Sequence, residues 1–223
     1  MNTPSVPDGS GRIHRIARYI SDLFNPFFIP LLVFLALGWL TPVASSDFFW
    51  LILVAAVFYT LIPLSITVLH FRWGKIESLD LPIRKKRYML FIYAILSSST
   101  GSLILIFLFL TGYPFIAKVA AVFMLNTVIG YILNLKWKVS IHTASVASAG
   151  IIFGVLWFAD QYDVFIFIWS GILSLGTLLL LLPLMMWSRY RLKVHTAAEI
   201  FGGAAAGIFF TLIELGSLVI IFS

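Results

Sequence analysis

The chain has 223 residues, of which 61% are hydrophobic and 11% charged, and its mean hydropathy is +1.05. A water-soluble globule of this size does not carry so much apolar surface, so the composition points to an integral membrane protein whose outer face is solvated by lipid. The absence of cysteine excludes disulfides and thiolate metal sites, and the net charge of +6 matters less for its size than for its placement.

The first eleven residues are polar, with Pro4, Pro7 and Gly9, and read as a frayed tail with no cleavable signal. The expected organisation is a flexible tail over 1–12 and a single transmembrane domain over 13–223. Within 13–24, Ile13, Ile16, Ala17, Ile20 and Phe24 share one helical face, while His14, Arg15, Arg18 and Asp22 fall elsewhere. That pattern predicts an amphipathic helix lying in the headgroup plane ahead of the first crossing.

Seven apolar segments follow, at 24–41, 48–70, 88–111, 114–135, 142–159, 164–187 and 197–222. Most approach the ~20 residues that a helix needs to cross ~30 Å of hydrocarbon. Helices are favoured because hydrocarbon offers no partner to open backbone groups. The predicted fold is therefore all-α, a polytopic bundle of six to seven transmembrane helices. Trp39, Trp50, Trp73, Trp137, Trp157 and Trp187 lie near segment ends, as an interfacial aromatic belt requires. Gly203-x3-Gly207 in the last segment predicts close helix packing. Glu214 lies in the same segment, where an ionisable group is costly. It is read either as functional or as protonated and bonded between helices.

Charge fixes the expected topology. Arg12, Arg15, Arg18, Arg72, Lys75, Arg84, Lys85, Lys86, Arg87, Lys136, Lys138, Arg189, Arg191 and Lys193 all fall on one side; Lys118, Asp47, Asp160 and Asp163 fall on or near the other. The positive-inside rule places the amino terminus and the basic loops in the cytoplasm. Two segments separate the 72–87 loop from 136–142, and two more separate that loop from 188–195. Three basic stretches therefore emerge on one face and can converge.

Those stretches carry a constellation suited to a phosphate ester. Ser188-Arg189 is followed after five residues by His195 and then, at i+4, by Glu199; Lys138-Val139-Ser140-Ile141-His142 abuts another apolar segment. Phosphomonoester hydrolysis needs a nucleophile, a proton for the leaving oxygen and cations for the equatorial oxygens. His195 is the expected nucleophile, with Glu199 fixing its tautomer across one helical turn. His142 is the expected acid for the departing alkoxide and then the base that activates water. Arg189 offers a planar fork for two phosphate oxygens. Ser140, Ser188, Arg84, Arg87 and Lys75 are the further candidate phosphate contacts.

Ser188-Arg189-x5-His195-x3-Glu199 resembles the third motif of the type 2 phosphatidic acid phosphatase superfamily, SRxxxxxHxxxD, with Glu in place of Asp. Ser140-Ile141-His142 resembles the core of its second motif, PSGH, with Val139 for proline and Ile141 for glycine. The first motif, KxxxxxxRP, is poorly matched: with Arg87 as its arginine, Asp80 stands at the lysine and Tyr88 at the proline. The resemblance covers residues ~75 to ~199. It implies a phosphohistidine on His195, an acid at His142, and neither metal nor cofactor.

A site at the membrane boundary calls for an amphiphilic substrate, with the bilayer itself and a membrane lipid phosphate as partners and no nucleic acid. Phosphatidate, phosphatidylglycerol phosphate, a polyprenyl phosphate or diphosphate, and a lipid A-type phosphate all fit. The expected location is a bacterial or archaeal cytoplasmic membrane, with the active-site loops on its cytoplasmic face. Two other classes compete: a non-catalytic lipid-phosphate binder or carrier on the same fold, and a small transporter whose basic loops only orient it.

Overall fold

The structure, a computed structural model, describes residues 11–74, 84–159 and 163–221; of residues 84–87 and 218–221 only the backbone is described. The described residues are helical, joined by short turns, with no strand among them. Six helical stretches are long and apolar enough to span a membrane: Ser45–Arg72, Tyr88–Phe109, Pro114–Lys136, Ile141–Ala159, Val164–Arg191 and Ala197–Ser217. The chain thus has the fold of an integral membrane helix bundle.

The first predicted crossing, 24–41, is helical only from Ile29. Helix α1 (Arg12–Leu23) is followed by a turn and by α2 (Ile29–Leu40). Twelve residues of α2 reach only about 18 Å, short of ~30 Å of hydrocarbon. The break falls at Asn25-Pro26, where proline removes a donor and disfavours helix in the residue before it. Its polar groups find partners. Asn25 Oδ1 accepts from Phe27 N at 3.0 Å, the Asn25 carbonyl accepts from Phe28 N at 2.8 Å, and Thr60 Oγ1 donates to the Phe27 carbonyl at 2.7 Å.

Two spans share an internal irregularity. Ser45–Arg72 consists of α3 (Ser45–Val54), a π-helical stretch (Ala55–Leu61) and α4 (Ile62–Arg72). Val164–Arg191 consists of α8 (Val164–Gly176), a π stretch (Thr177–Leu181) and α9 (Leu182–Arg191). Each π stretch ends just before a proline, Pro63 or Pro183. Proline has no N–H for the carbonyl one turn back, and a slip of the hydrogen-bond register absorbs that loss. In the first case the Phe58 carbonyl is taken up by Ser97 Oγ of the next span, at 2.5 Å.

The other spans are α5 (Arg84–Phe109), α6 (Pro114–Lys136), α7 (Ile141–Ala159) and α10 (Ala197–Ile221). Helices α7 and α10 run parallel in intimate contact. A Cβ placed on Gly203 would stand 2.3 Å from the Ser140 carbonyl oxygen, and one on Gly207 2.2 Å from that of Ala144. These glycines let the two backbones touch, as the glycine spacing predicts. Deeper along the same seam, Asn126 Nδ2 of α6 donates to Thr211 Oγ1 at 2.9 Å, and Thr211 Oγ1 donates to Ser148 Oγ at 2.9 Å.

The alternation of spans brings the end of α4, the start of α5 and the 136–141 and 191–197 connections to one end of the bundle. Helix α1 joins that end: its Ala17 and Ser21 are buried, and both bond to α9. Its larger apolar residues Ile13, Ile16 and Leu23 are exposed. At the opposite end Asp163 caps α8, accepting from Phe165 N at 2.9 Å and Ile166 N at 3.1 Å.

Candidate active site

The start of α10 is built by a reciprocal cap. Glu199 Oε2 accepts from Thr196 N at 3.0 Å, while Thr196 Oγ1 accepts from Glu199 N at 3.3 Å. This Thr-x-x-Glu capping box holds the Glu199 carboxylate over the first turn. The same Oε2 lies 3.1 Å from Nδ1 of His195, which is only 9% exposed. The expected His195–Glu199 pairing is therefore present, and the carboxylate that orients the imidazole also caps the helix.

Helix α7 begins alongside. Ser140 N donates to the Glu199 carbonyl at 3.0 Å, and Thr143 Oγ1 donates to the Ile200 carbonyl at 3.0 Å. Together with the glycine contacts these bonds lock the register of α7 against α10. The register decides where His142 stands relative to His195.

His142, His195 and Arg189 all line one cavity of about 230 Å³ inside the bundle. Its wall continues through the break before α2 (Asn25, Pro26, Phe27) and down to Tyr59, Phe123 and Asn126. His195 also borders a separate, open recess of about 400 Å³ at the basic end, among Lys138, Arg191, Lys193, Thr196 and Glu199. One imidazole thus stands between a mostly apolar chamber and a polar mouth. Lys138 braces that mouth, its Nζ donating to the Val194 carbonyl at 3.0 Å. Lys193 adopts φ 56°, ending α9 in the left-handed conformation usually reserved for glycine.

Arg189 is buried, at 1% exposure, and its Nη1 donates to Ser21 Oγ of α1 at 2.6 Å. Two of the expected phosphate contacts are engaged elsewhere. Ser140 Oγ is fully buried at the α7 cap, accepting from Thr143 N at 3.4 Å. Ser188 Oγ donates to the Ala17 carbonyl at 2.6 Å. Neither serine lines the chamber. Arg84 and Arg87 fall in the first turn of α5, with side chains outside the described residues, and Lys75 lies outside them altogether. Glu214 is buried in α10, and among the described residues neither carboxyl oxygen has a hydrogen-bond partner.

Ser21 and the Asn126–Ser148–Thr211 cluster were not among the expected site residues. The sequence holds faint pointers to both: small residues at i, i+4 on α1, and an asparagine inside an apolar span. No family model matches the chain, and no curated protein or solved structure matches it either.

Proposed function

We propose that the chain is an integral membrane lipid phosphatase that cleaves a phosphomonoester or diphosphate of a membrane lipid without a metal. The observation that carries this reading is the convergence of His195, oriented by Glu199, with His142 and Arg189 on one chamber within the bundle. A phosphate at the chamber's basic end leaves its lipid chain among apolar walls.

In this reading Glu199 holds Nδ1 of His195, so Nε2 attacks phosphorus as the bond to the lipid oxygen breaks. His142 gives that oxygen a proton, and a phosphohistidine forms. Water then enters from the basic recess and His142 takes its proton. The P–N bond breaks and inorganic phosphate leaves. The Arg189 fork carries the charge on the equatorial oxygens throughout. Helix α1 rests in the headgroup plane, the positive-inside rule puts the site on the cytoplasmic face, and the membrane is a prokaryotic cytoplasmic one. Phosphatidate, phosphatidylglycerol phosphate, polyprenyl (di)phosphates and lipid A-type phosphates are the candidate substrates.

The test is phosphate release by the detergent-purified protein from a panel of these lipids in EDTA, with His195→Ala alongside. EDTA-insensitive release that the substitution abolishes is the expected result. A second reading, a non-catalytic lipid-phosphate binder on the same fold, is favoured by the engagement of Ser140 and Ser188 away from the chamber. Lipid-phosphate binding with no release from any lipid would select it.

A further inference from the structure

Among the described residues Arg189 is the most buried cation of the candidate site, and one of its contacts comes from outside all three basic stretches. Its Nη1 donates to Ser21 Oγ at 2.6 Å, across 168 residues of sequence. The neighbouring residue of α9, Ser188, bonds to the Ala17 carbonyl, also at 2.6 Å. Ala17 and Ser21 are one helical turn apart, and both are essentially inaccessible, at 0% and 1% exposure. Small residues here let α1 approach α9 closely enough for both bonds to form. A bulkier pair would hold the helices apart.

We propose that Ser21 is a positioning residue for Arg189, which makes α1 part of the phosphate-binding apparatus. This inference rests on the phosphatase reading above. An arginine side chain has several rotatable bonds, and a fork that must meet two phosphate oxygens has to be held in one direction before the anion arrives. The Ser21 hydroxyl, accepting from Nη1, fixes the direction of one arm of the fork. Helix α1 also leads directly into Asn25–Phe27 of the chamber wall. One short helix therefore sets both the arginine and the wall that faces it.

The test compares wild type, Ser21→Ala and Ser21→Thr in the full-length detergent-purified protein. Three quantities are read: kcat and KM on the lipid phosphate that wild type hydrolyses fastest, thermal unfolding, and the Kd of inorganic phosphate. Ser21→Ala is expected to lose at least about tenfold in kcat/KM, with phosphate affinity falling in parallel, as for loss of a hydrogen bond to a charged group. Ser21→Thr keeps the hydroxyl but adds a methyl to a packed contact, and is expected to recover part of both. If Ser21→Ala lowers the unfolding temperature yet leaves phosphate affinity and kcat/KM unchanged, the contact is only structural and the proposal is overturned. Should the alanine variant not fold, Ser21→Cys, similar in size and a weak acceptor, is read by the same criteria. Wild type that neither releases nor binds phosphate would remove the phosphatase reading itself. Active wild type beside an unaffected Ser21 variant removes only the role of Ser21.

Discussion

The contact between α7 and α10 gives the sharpest mutational test. In Gly203→Ala the new methyl carbon would lie 2.3 Å from the Ser140 carbonyl oxygen and 2.5 Å from Thr143 Oγ1, where ordinary contact begins at 3.4 Å. The shortfall is about 1 Å, and the nearest obstacle is backbone, which cannot swing aside. The helices must therefore part by about that distance near the start of α7, which carries His142, and the start of α10, which His195 precedes. Overpacking of this kind costs about 1–3 kcal/mol, and the better helix propensity of alanine returns up to about 1 kcal/mol. The net loss of stability is modest. The loss of function is not, because a displacement of ~1 Å between reacting groups can cost ~100-fold in rate. Gly216→Ala is the control in the same helix, since a Cβ there meets nothing within 4 Å. The assay is kcat/KM on the best lipid phosphate, normalised to folded protein by size-exclusion and thermal unfolding. A folded Gly203→Ala protein with wild-type kcat/KM would refute the argument that this seam sets the spacing of the two histidines.

The double duty of Glu199 can be separated by two variants. Thr196→Ala removes one half of the capping box and should cost about 1 kcal/mol with little change in kcat/KM, whereas Glu199→Gln should lower kcat at least about 100-fold with little change in stability; equal kinetic effects would sink the separation. Lys193 stands at φ 56°, so Lys193→Gly should relieve about 1 kcal/mol of backbone strain and raise the unfolding temperature by about 2–4 °C. A fall in that temperature would mean that the lysine side chain stabilises the turn by more than its backbone costs. Glu214 buries two oxygens that have no hydrogen-bond partner among the described residues, so Glu214→Leu should raise stability by about 1–3 kcal/mol while leaving phosphate release intact. Loss of phosphate release in a stabilised variant would instead assign that carboxyl a functional part.

The spans were legible because about 20 apolar residues in a row leave a chain few alternatives in lipid. What was not legible is how they deviate from straight rods. Pro26, Pro63 and Pro183 mark the break before α2 and the two π stretches. Yet whether a proline kinks a helix, breaks it or introduces a π turn depends on which neighbour takes up the freed backbone group, and Thr60 and Ser97 are fixed only by tertiary packing. The same division holds at the site. His195 and Glu199 were paired from their spacing, but His195 lies just before α10, and they meet because the capping box turns the Glu199 carboxylate back over the helix start. Ser140 and Ser188 look like phosphate donors in a linear motif, but their hydroxyls go to a helix cap and to a carbonyl of α1. Ser21 left only a faint trace, a small residue one turn from Ala17, because its partner lies 168 residues away.

The break before α2 bears on what the chamber holds. Thr60, whose hydroxyl meets the Phe27 carbonyl, lies twelve residues before the end of α4, or about 18 Å along the helix. Non-helical backbone at such depth is tolerated only where protein covers it or where it lines a cavity. Here it does the latter: Asn25, Pro26 and Phe27 form part of the chamber wall. A straight first helix would have filled that volume with side chains. The break instead leaves a space that has His142, His195 and Arg189 at its basic end and aromatic residues deeper in. A ligand suited to it has an anionic head and an apolar tail, and a free phosphate would leave most of the wall uncovered. For a lipid phosphate, extending the apolar chain from two to about ten carbons should therefore lower KM by more than an order of magnitude, since each buried methylene contributes up to about 0.8 kcal/mol. A KM indifferent to chain length would mean that the chamber does not hold the tail.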